Sequence, residues 1–136
     1  MVENIHPKQV WQALLDDPQA QLVDVRTDAE WNYVGLPDLA AAGKHPKLIP
    51  WQIFPAMTVN GDFVGQLAEA GLTPAHKIYF ICRSGVRSLA AAAAAQAAGY
   101  ADAFNVADGF EGPPDADAHR GRVAGWKADG LAWRQR

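Results

Sequence analysis

The stretch IYFICRSGVRS, residues 78–88, decides the fold together with the alanine-rich run that follows it to Gly99. A short apolar strand that passes through a tight loop straight into a helix is typical of one half of a parallel α/β unit. The six consecutive alanines Ala90–Ala95 are strong helix formers, and their small side chains let a helix lie close to a sheet. The sequence therefore predicts an α/β fold built on a mostly parallel sheet.

The loop lies where the carboxyl end of this strand meets the amino end of the helix. Several backbone N–H groups there have no partner within the helix, and the helix dipole adds a partial positive charge. Cys82, the only cysteine of the chain, stands first in the loop, and no carboxylate occurs between Lys77 and Gly99. Arg83 and Arg87 add two cations. Such a setting favours a thiolate that meets anionic substrates.

A single cysteine at the end of an apolar strand has a simpler interpretation as a small buried hydrophobic residue. Its neighbours favour the reactive interpretation. Gly85 allows the positive φ of a tight loop, Arg87 does not suit a core, and Ser88 is a suitable cap for the helix.

Residues Cys82–Arg87 resemble the active-site loop of rhodanese-type sulfurtransferases: Cys, Arg, any residue, Gly, any residue, then Arg or Thr. Similarity to the family extends from Ile5 to Trp133. It includes a first strand with the sequence Leu-Val-Asp-Val-Arg at residues 22–26, the pair Glu30-Trp31 and the pair Gly109-Phe110. The resemblance implies one rhodanese-like domain over residues 1–136, with a central, mostly parallel sheet flanked by helices on both faces.

Loop length separates this resemblance from cysteine phosphatases, which place five residues between the cysteine and the arginine of a similar loop. Here four residues lie between Cys82 and Arg87, and Ser88 occupies the phosphatase arginine position. The shorter loop makes a tighter ring of amides and favours the sulfurtransferase interpretation. An arsenate reductase is disfavoured because the chain has no second cysteine.

The resemblance implies that Cys82 accepts a sulfur atom from thiosulfate or a similar small anionic donor and passes it, as a persulfide, to a thiol or protein acceptor. Arg87 is expected to attract the donor and Arg83 to steer anions at the rim. Asp24 and Arg26, at the end of the first strand, are expected to support the loop, Asp24 through hydrogen bonds. The loop residues expected to hold the sulfur anion are Arg83, Ser84, Gly85, Val86, Arg87 and Ser88. No cofactor is expected.

A different class of function remains open alongside the enzyme. Domains of this type also serve as persulfide carriers, which receive their sulfur from a partner protein, or as protein-interaction modules. The intact cysteine loop argues against a pure docking role, but a carrier uses the same persulfide. Turnover with small donors, compared with transfer from a protein donor, discriminates between the two.

Composition narrows the class of protein further. The 136 residues suit one domain, and the net charge of −3 argues against a nucleic-acid binder. No run reaches the roughly 18 apolar residues of a membrane span. Four isolated histidines and one cysteine predict no metal site. The lone thiol and the absence of a signal-like start lead us to expect a cytoplasmic protein without a membrane partner.

Segment 37–64 departs from the family pattern. The usual Gly-His-Ile-Pro is shortened to a Gly-Leu-Pro run that begins at Gly35, and an insertion rich in aromatic residues follows. This insertion is either a surface loop with its own small apolar cluster or a wall over the mouth of the active site. His119, in a later loop, is either a solvated side chain or a proton donor.

Local signals place the remaining elements. Thr27 and Glu30 have the spacing of a capping box and predict a short helix after the first strand. Predicted helices cover Pro7–Leu15, Val59–Ala70 with Asn60 as N-cap, Ser88–Ala98 with Ser88 as cap, and Val123–Ala128. Predicted strands are Gln21–Val25 and Phe104–Val106, in addition to the central strand.

Overall fold

The computed structural model describes all 136 residues. The chain forms nine strands and four α-helices. In chain order they are β1 Glu3–Ile5, α1 Pro7–Asp16, β2 Ala20–Asp24, α2 Asp28–Tyr33, β3 Leu36–Pro37, β4 Lys47–Leu48, β5 Gln52–Ile53, β6 Thr58–Val59, α3 Phe63–Glu69, β7 Lys77–Ile81, α4 Val86–Ala97, β8 Ala103–Val106 and β9 Trp133–Arg134. No helix combines the length and the apolar character that a bilayer crossing requires.

Five strands make one parallel sheet in the order β1-β8-β7-β2-β4, which confirms the predicted α/β class. Strand β7 lies at the centre, with β2 and β8 on either side. Because the strands are parallel, their carboxyl ends share one edge of the sheet, where the loop after β7 begins. The fold therefore places Cys82 at the middle of the edge where parallel sheets hold their sites.

Helices cover both faces of the sheet, as predicted. One face packs against α3 and α4, through Phe63, Leu67 and the buried alanines Ala91, Ala92 and Ala95. Because these alanines have no bulk beyond Cβ, α4 lies directly on the sheet. On the other face, α1 and the C-terminal segment bury Leu14 and Trp126.

The sequence missed strand β1, and it assigned helical structure to Val59, which lies in a strand. Glu3–Ile5 pairs in parallel with β8, and a three-residue strand formed by such distant pairing leaves little local signal. The predicted helix Val59–Ala70 begins only at Phe63 because Val59 pairs with Gln52 in the β5–β6 hairpin.

The predicted closing helix Val123–Ala128 is wrong, since this segment forms turns. Gly125 has a φ of 104°, which no helix tolerates, and a Cβ there would lie 2.8 Å from the Gly109 carbonyl oxygen. The next residue, Trp126, donates its backbone N–H to that same oxygen at 2.9 Å. Close backbone packing against the turn at Gly109 therefore determines the conformation here.

Candidate active site

Cys82 follows directly after β7, and the loop brings the first turn of α4 onto its sulfur. Gly85 has a φ of 105°, as its predicted role in a tight turn requires, and its N–H donates a hydrogen bond to Cys82 Sγ at 3.1 Å. Helix α4 begins at the next residue, Val86. The sulfur therefore lies beside the amino end of a twelve-residue helix, where partial positive charge favours an anion.

Ser88 does not cap the helix, which corrects the sequence prediction. The helix begins two residues earlier, so Ser88 lies inside its first turn and is fully buried. Its hydroxyl lies 3.2 Å from Cys82 Sγ and within hydrogen-bond distance of Asn105 Oδ1. The hydroxyl is therefore a direct partner of the sulfur.

Cys82 is buried, with 1% of its surface exposed, and it lies at the base of an open pocket of about 420 Å³. Four predicted loop residues besides the cysteine line it: Arg83, Ser84, Val86 and Arg87. Three further lining residues come from outside the loop: Glu30 from α2, and Gln52 and Met57 from segment 37–64. The segment thus contributes to the wall of the pocket, while its Trp51 packs edge-on against Phe63 with ring centroids 5.2 Å apart.

Arg87 is held by a carboxylate that the sequence did not assign to the site. Its Nη1 and Nη2 donate to Glu30 Oε1 and Oε2 at 2.7 and 2.9 Å. Burial opposes the ionisation of Glu30, but the bonds and charge of Arg87 and the bonds from Thr27 outweigh it, so the pKa of Glu30 lies below its ordinary value. Hydrogen bonding to Glu30 raises the pKa of Arg87.

The predicted capping box at the start of α2 is confirmed and shares the same carboxylate. Thr27 Oγ1 accepts from the Glu30 N–H, and the Thr27 N–H donates to Glu30 Oε1. One side chain thus closes the end of α2 and binds Arg87, 57 residues away. Sequence spacing revealed the capping box, whose bonds are local. It could not reveal the bond from Arg87 to Glu30, because that bond depends on tertiary structure.

We expect Glu30→Gln to destabilise the fold by about 1 to 2 kcal/mol at neutral pH, because it removes the charged partner of a half-buried arginine. Glutamine still supplies the oxygen that the capping box needs, so the loss reports on Arg87. The folded-state pKa of Glu30 lies below 4.5, so this stabilisation is complete above pH 4.5 and is lost as the pH falls through the folded-state value. Urea unfolding of both proteins at pH 7 and at a series of pH values below 4.5 measures it; a gap in unfolding free energy that does not shrink as the pH falls would contradict it.

Asp24 and Arg26 form a fully buried ion pair at 2.7 Å and contact the loop only indirectly. Asp24 makes no hydrogen bond to residues 82–88, contrary to expectation; its carboxylate accepts from Arg26. The Arg26 guanidinium lies 4.3 Å from the centroid of the Phe110 ring. The Phe110 N–H in turn donates to the Cys82 carbonyl at 2.8 Å, so the pair reaches the loop through Phe110.

The segment after β8 lies behind the loop, as its position at a strand end predicted. Besides Phe110, the amides of Glu111 and Gly112 donate to the Arg83 carbonyl oxygen at 2.9 and 3.1 Å. His119, farther along this segment, is exposed and does not line the Cys82 pocket. Its position agrees with a solvated loop histidine.

Known proteins resemble this chain in sequence and in fold. A family model described as the rhodanese-like domain matches residues 6–112. Rv0390 from M. tuberculosis is 44% identical with a TM-score of 0.89, covering 99% of this chain and 98% of that one. The uncharacterized protein RC0915 of Rickettsia conorii is 35% identical over 133 residues, 97% of each chain. A polysulfide-sulfur transferase homodimer from Wolinella succinogenes, 23% identical with a TM-score of 0.69, covers 99% and 80% and shows the fold alone.

Proposed function

The chain belongs to the rhodanese-like domain family, and on that basis we propose that it transfers sulfane sulfur through a persulfide on Cys82. One observation carries the proposal: the Cys82 sulfur accepts the Gly85 N–H at the amino end of α4, at an open pocket. The amino end of a helix favours an anionic group beside it, and the pocket above the buried sulfur has room for a small donor. The chain needs no cofactor for this chemistry, and its free thiol suits the reducing cytoplasm.

The transfer consists of two displacements. The Cys82 thiolate attacks the outer sulfur of thiosulfate, the sulfur–sulfur bond of the donor breaks, and sulfite leaves with the electron pair. An acceptor thiolate or cyanide then attacks the outer sulfur of the persulfide, and the bond breaks so that its electron pair returns to Cys82. Splitting one transfer into two steps predicts ping-pong kinetics.

Charge around the pocket supports an anionic donor. Arg83 is exposed at the rim with no carboxylate partner, and Arg87 contributes a second cation whose charge Glu30 balances. The amides of the loop add partial positive charge at its base. We propose that Arg83 steers the donor and that Arg87 both shapes the loop and contacts the donor's sulfonate.

Arg87→Ala is expected to raise the KM for thiosulfate about tenfold or more, and the KM for the acceptor much less, because only the donor carries the sulfonate. Steady-state kinetics with each substrate varied in turn measures both constants. Arg122→Ala is the matched control: Arg122 is 63% exposed, outside the pocket, and its loss changes the net charge equally. Equal changes in both constants, or a similar effect of Arg122→Ala, would exclude donor binding by Arg87.

Gln52 and Met57 support a role for segment 37–64 in acceptor choice. Both side chains line the pocket that leads to Cys82, so they limit which acceptors reach the persulfide. We therefore interpret this segment as a wall of the site within one domain of 136 residues. It favours small or flexible thiol acceptors over bulky ones.

The second candidate function is a persulfide carrier that receives sulfur from a partner protein. Both functions use Cys82, so the test is turnover with small molecules. For the enzyme we expect parallel double-reciprocal plots with thiosulfate or polysulfide as donor and cyanide or a small thiol as acceptor. A protein that takes no sulfur from small donors but accepts it from a persulfidated protein is a carrier.

A further inference from the structure

A buried chain of polar side chains leads from Cys82 to the far side of the loop. Ser88 Oγ lies 3.2 Å from Cys82 Sγ and also contacts Asn105 Oδ1. Asn105, from β8, donates through Nδ2 to Asn4 Oδ1 at 2.8 Å and to the Gly85 carbonyl at 3.2 Å. Ser88 is fully buried and Asn105 is 3% exposed. No charged group belongs to this chain of contacts.

The two bonds made by Nδ2 fix the orientation of the Asn105 amide. Both partners, Asn4 Oδ1 and the Gly85 carbonyl, accept hydrogen bonds, so the amide nitrogen faces them and Oδ1 faces Ser88. The serine hydroxyl has one proton and two acceptors within reach, the sulfur and the amide oxygen. It donates to only one of them at a time.

We propose that the Ser88 hydroxyl is a switch that follows the charge on Cys82 Sγ, and that Asn105 is the positioning residue whose Oδ1 accepts the hydrogen bond of that hydroxyl whenever the sulfur is uncharged. When Sγ is a thiolate, it is the stronger acceptor. It then accepts a hydrogen bond from the Ser88 hydroxyl in addition to the one from the Gly85 N–H. When Sγ is a thiol or the inner sulfur of a persulfide, it is a weak acceptor, and the hydroxyl turns to Asn105.

The switch matters most when the persulfide gives up its sulfur. This consequence rests on the proposed sulfur transfer, whereas the switch itself requires only the thiol and the thiolate. As the acceptor attacks the outer sulfur, the sulfur–sulfur bond breaks and its electron pair moves to Sγ. Ser88 then rotates from Asn105 to the new thiolate and stabilises the leaving group without losing its own proton. The interaction is strongest where charge develops.

Opposite effects of two substitutions distinguish the switch from a merely structural network. Ser88→Ala removes a hydrogen bond to the thiolate. Asn105→Leu removes the competing acceptor, so that the Ser88 hydroxyl donates its hydrogen bond to the sulfur alone. The first therefore disfavours the thiolate and the second favours it. Glu30, Arg83 and Arg87, the charged groups that line the same pocket, are unchanged in every variant.

The test measures the ultraviolet absorbance of the thiolate at the pH where half of the wild-type thiol is ionised, with Cys82→Ser as the blank. The chain has one cysteine, so the signal comes from Cys82 alone. We expect the ionised fraction to fall to about a tenth or less in Ser88→Ala and to rise to about three quarters or more in Asn105→Leu. Asn4→Ala, which keeps the Gly85 bond and the Ser88 contact, should leave it at one half.

The double variant Ser88→Ala/Asn105→Leu decides whether Asn105 acts through the hydroxyl. Its ionised fraction should match that of Ser88→Ala, because without the hydroxyl there is no hydrogen bond for Asn105 to accept. If Asn105→Leu does not fold, Asn105→Ala replaces it with the same expected direction. A fall of the ionised fraction in both single variants, or additive effects in the double variant, overturns the switch. The measurement uses no sulfur donor. The absorbance result therefore tests the switch even if the proposed sulfur transfer fails.

Discussion

Cys82→Ser is expected to reduce sulfur transfer from thiosulfate to cyanide by at least about a thousandfold, because a serine hydroxyl neither ionises at neutral pH nor forms a persulfide. Every step proposed for the site passes through this one sulfur, and the chain has no second cysteine to replace it. The donor half-reaction and the acceptor half-reaction should therefore fail together. Stopped reactions that quantify thiocyanate measure the loss.

The fold should survive this substitution. Serine is close to cysteine in shape, and the N–H of Gly85 and the hydroxyl of Ser88 remain as partners for its oxygen. We expect a change in the free energy of unfolding below about 2 kcal/mol, which urea titration verifies. A folded Cys82→Ser protein that keeps a tenth or more of the wild-type activity would remove Cys82 from the reaction.

Gly109→Ala is expected to destabilise the protein by about 3 kcal/mol or more beyond the cost of the backbone conformation itself, and to lower activity as well. A Cβ at this position would lie 2.5 Å from the Cys82 carbonyl oxygen and 2.6 Å from the Arg83 carbonyl group. The backbone that would have to move is the one that carries Cys82, the proposed nucleophile. Stability and transfer rate should therefore fall together.

Gly43→Ala is a matched control for this experiment. Gly43 has a φ of 68°, close to the 65° of Gly109, but no atom lies within 4 Å of the position of its Cβ. Both substitutions thus carry the same left-handed backbone strain, of order 1 kcal/mol, and only Gly109→Ala adds the collision. Urea unfolding of the two variants side by side separates these effects; equal losses would show that the close approach at Gly109 is unimportant.

The sequence predicted those features that depend on neighbouring residues. The apolar run before Cys82 and the alanines after it defined the central strand and helix, and the capping box of Thr27 and Glu30 was correct because both of its bonds are local. The family resemblance placed Cys82 in the loop between the central strand and its helix, where the structure has it. The loop after β8 was also placed correctly, because all parallel strands end at the same edge of the sheet.

Features that depend on distant residues were missed. Glu30 binds Arg87 across 57 positions, and Asn105 reaches Ser88 across 17. Ser88 was misread because serine is a common helix cap, while here the helix begins two residues earlier and the buried hydroxyl contacts Cys82 Sγ and Asn105. Gly125 stood in a segment of helical appearance, and only the backbone of the turn at Gly109 forces its positive φ. Such contacts leave no periodic or local pattern in a single sequence.

The intact mass of the protein after incubation with thiosulfate tests the central claim most directly. Wild type should gain the mass of one sulfur atom, Cys82→Ser should gain none, and cyanide should remove the added mass from wild type. A gain on both proteins would mean that the sulfur is carried elsewhere. No gain on wild type, with thiosulfate, polysulfide or a persulfidated protein as donor, would contradict a sulfur-accepting Cys82.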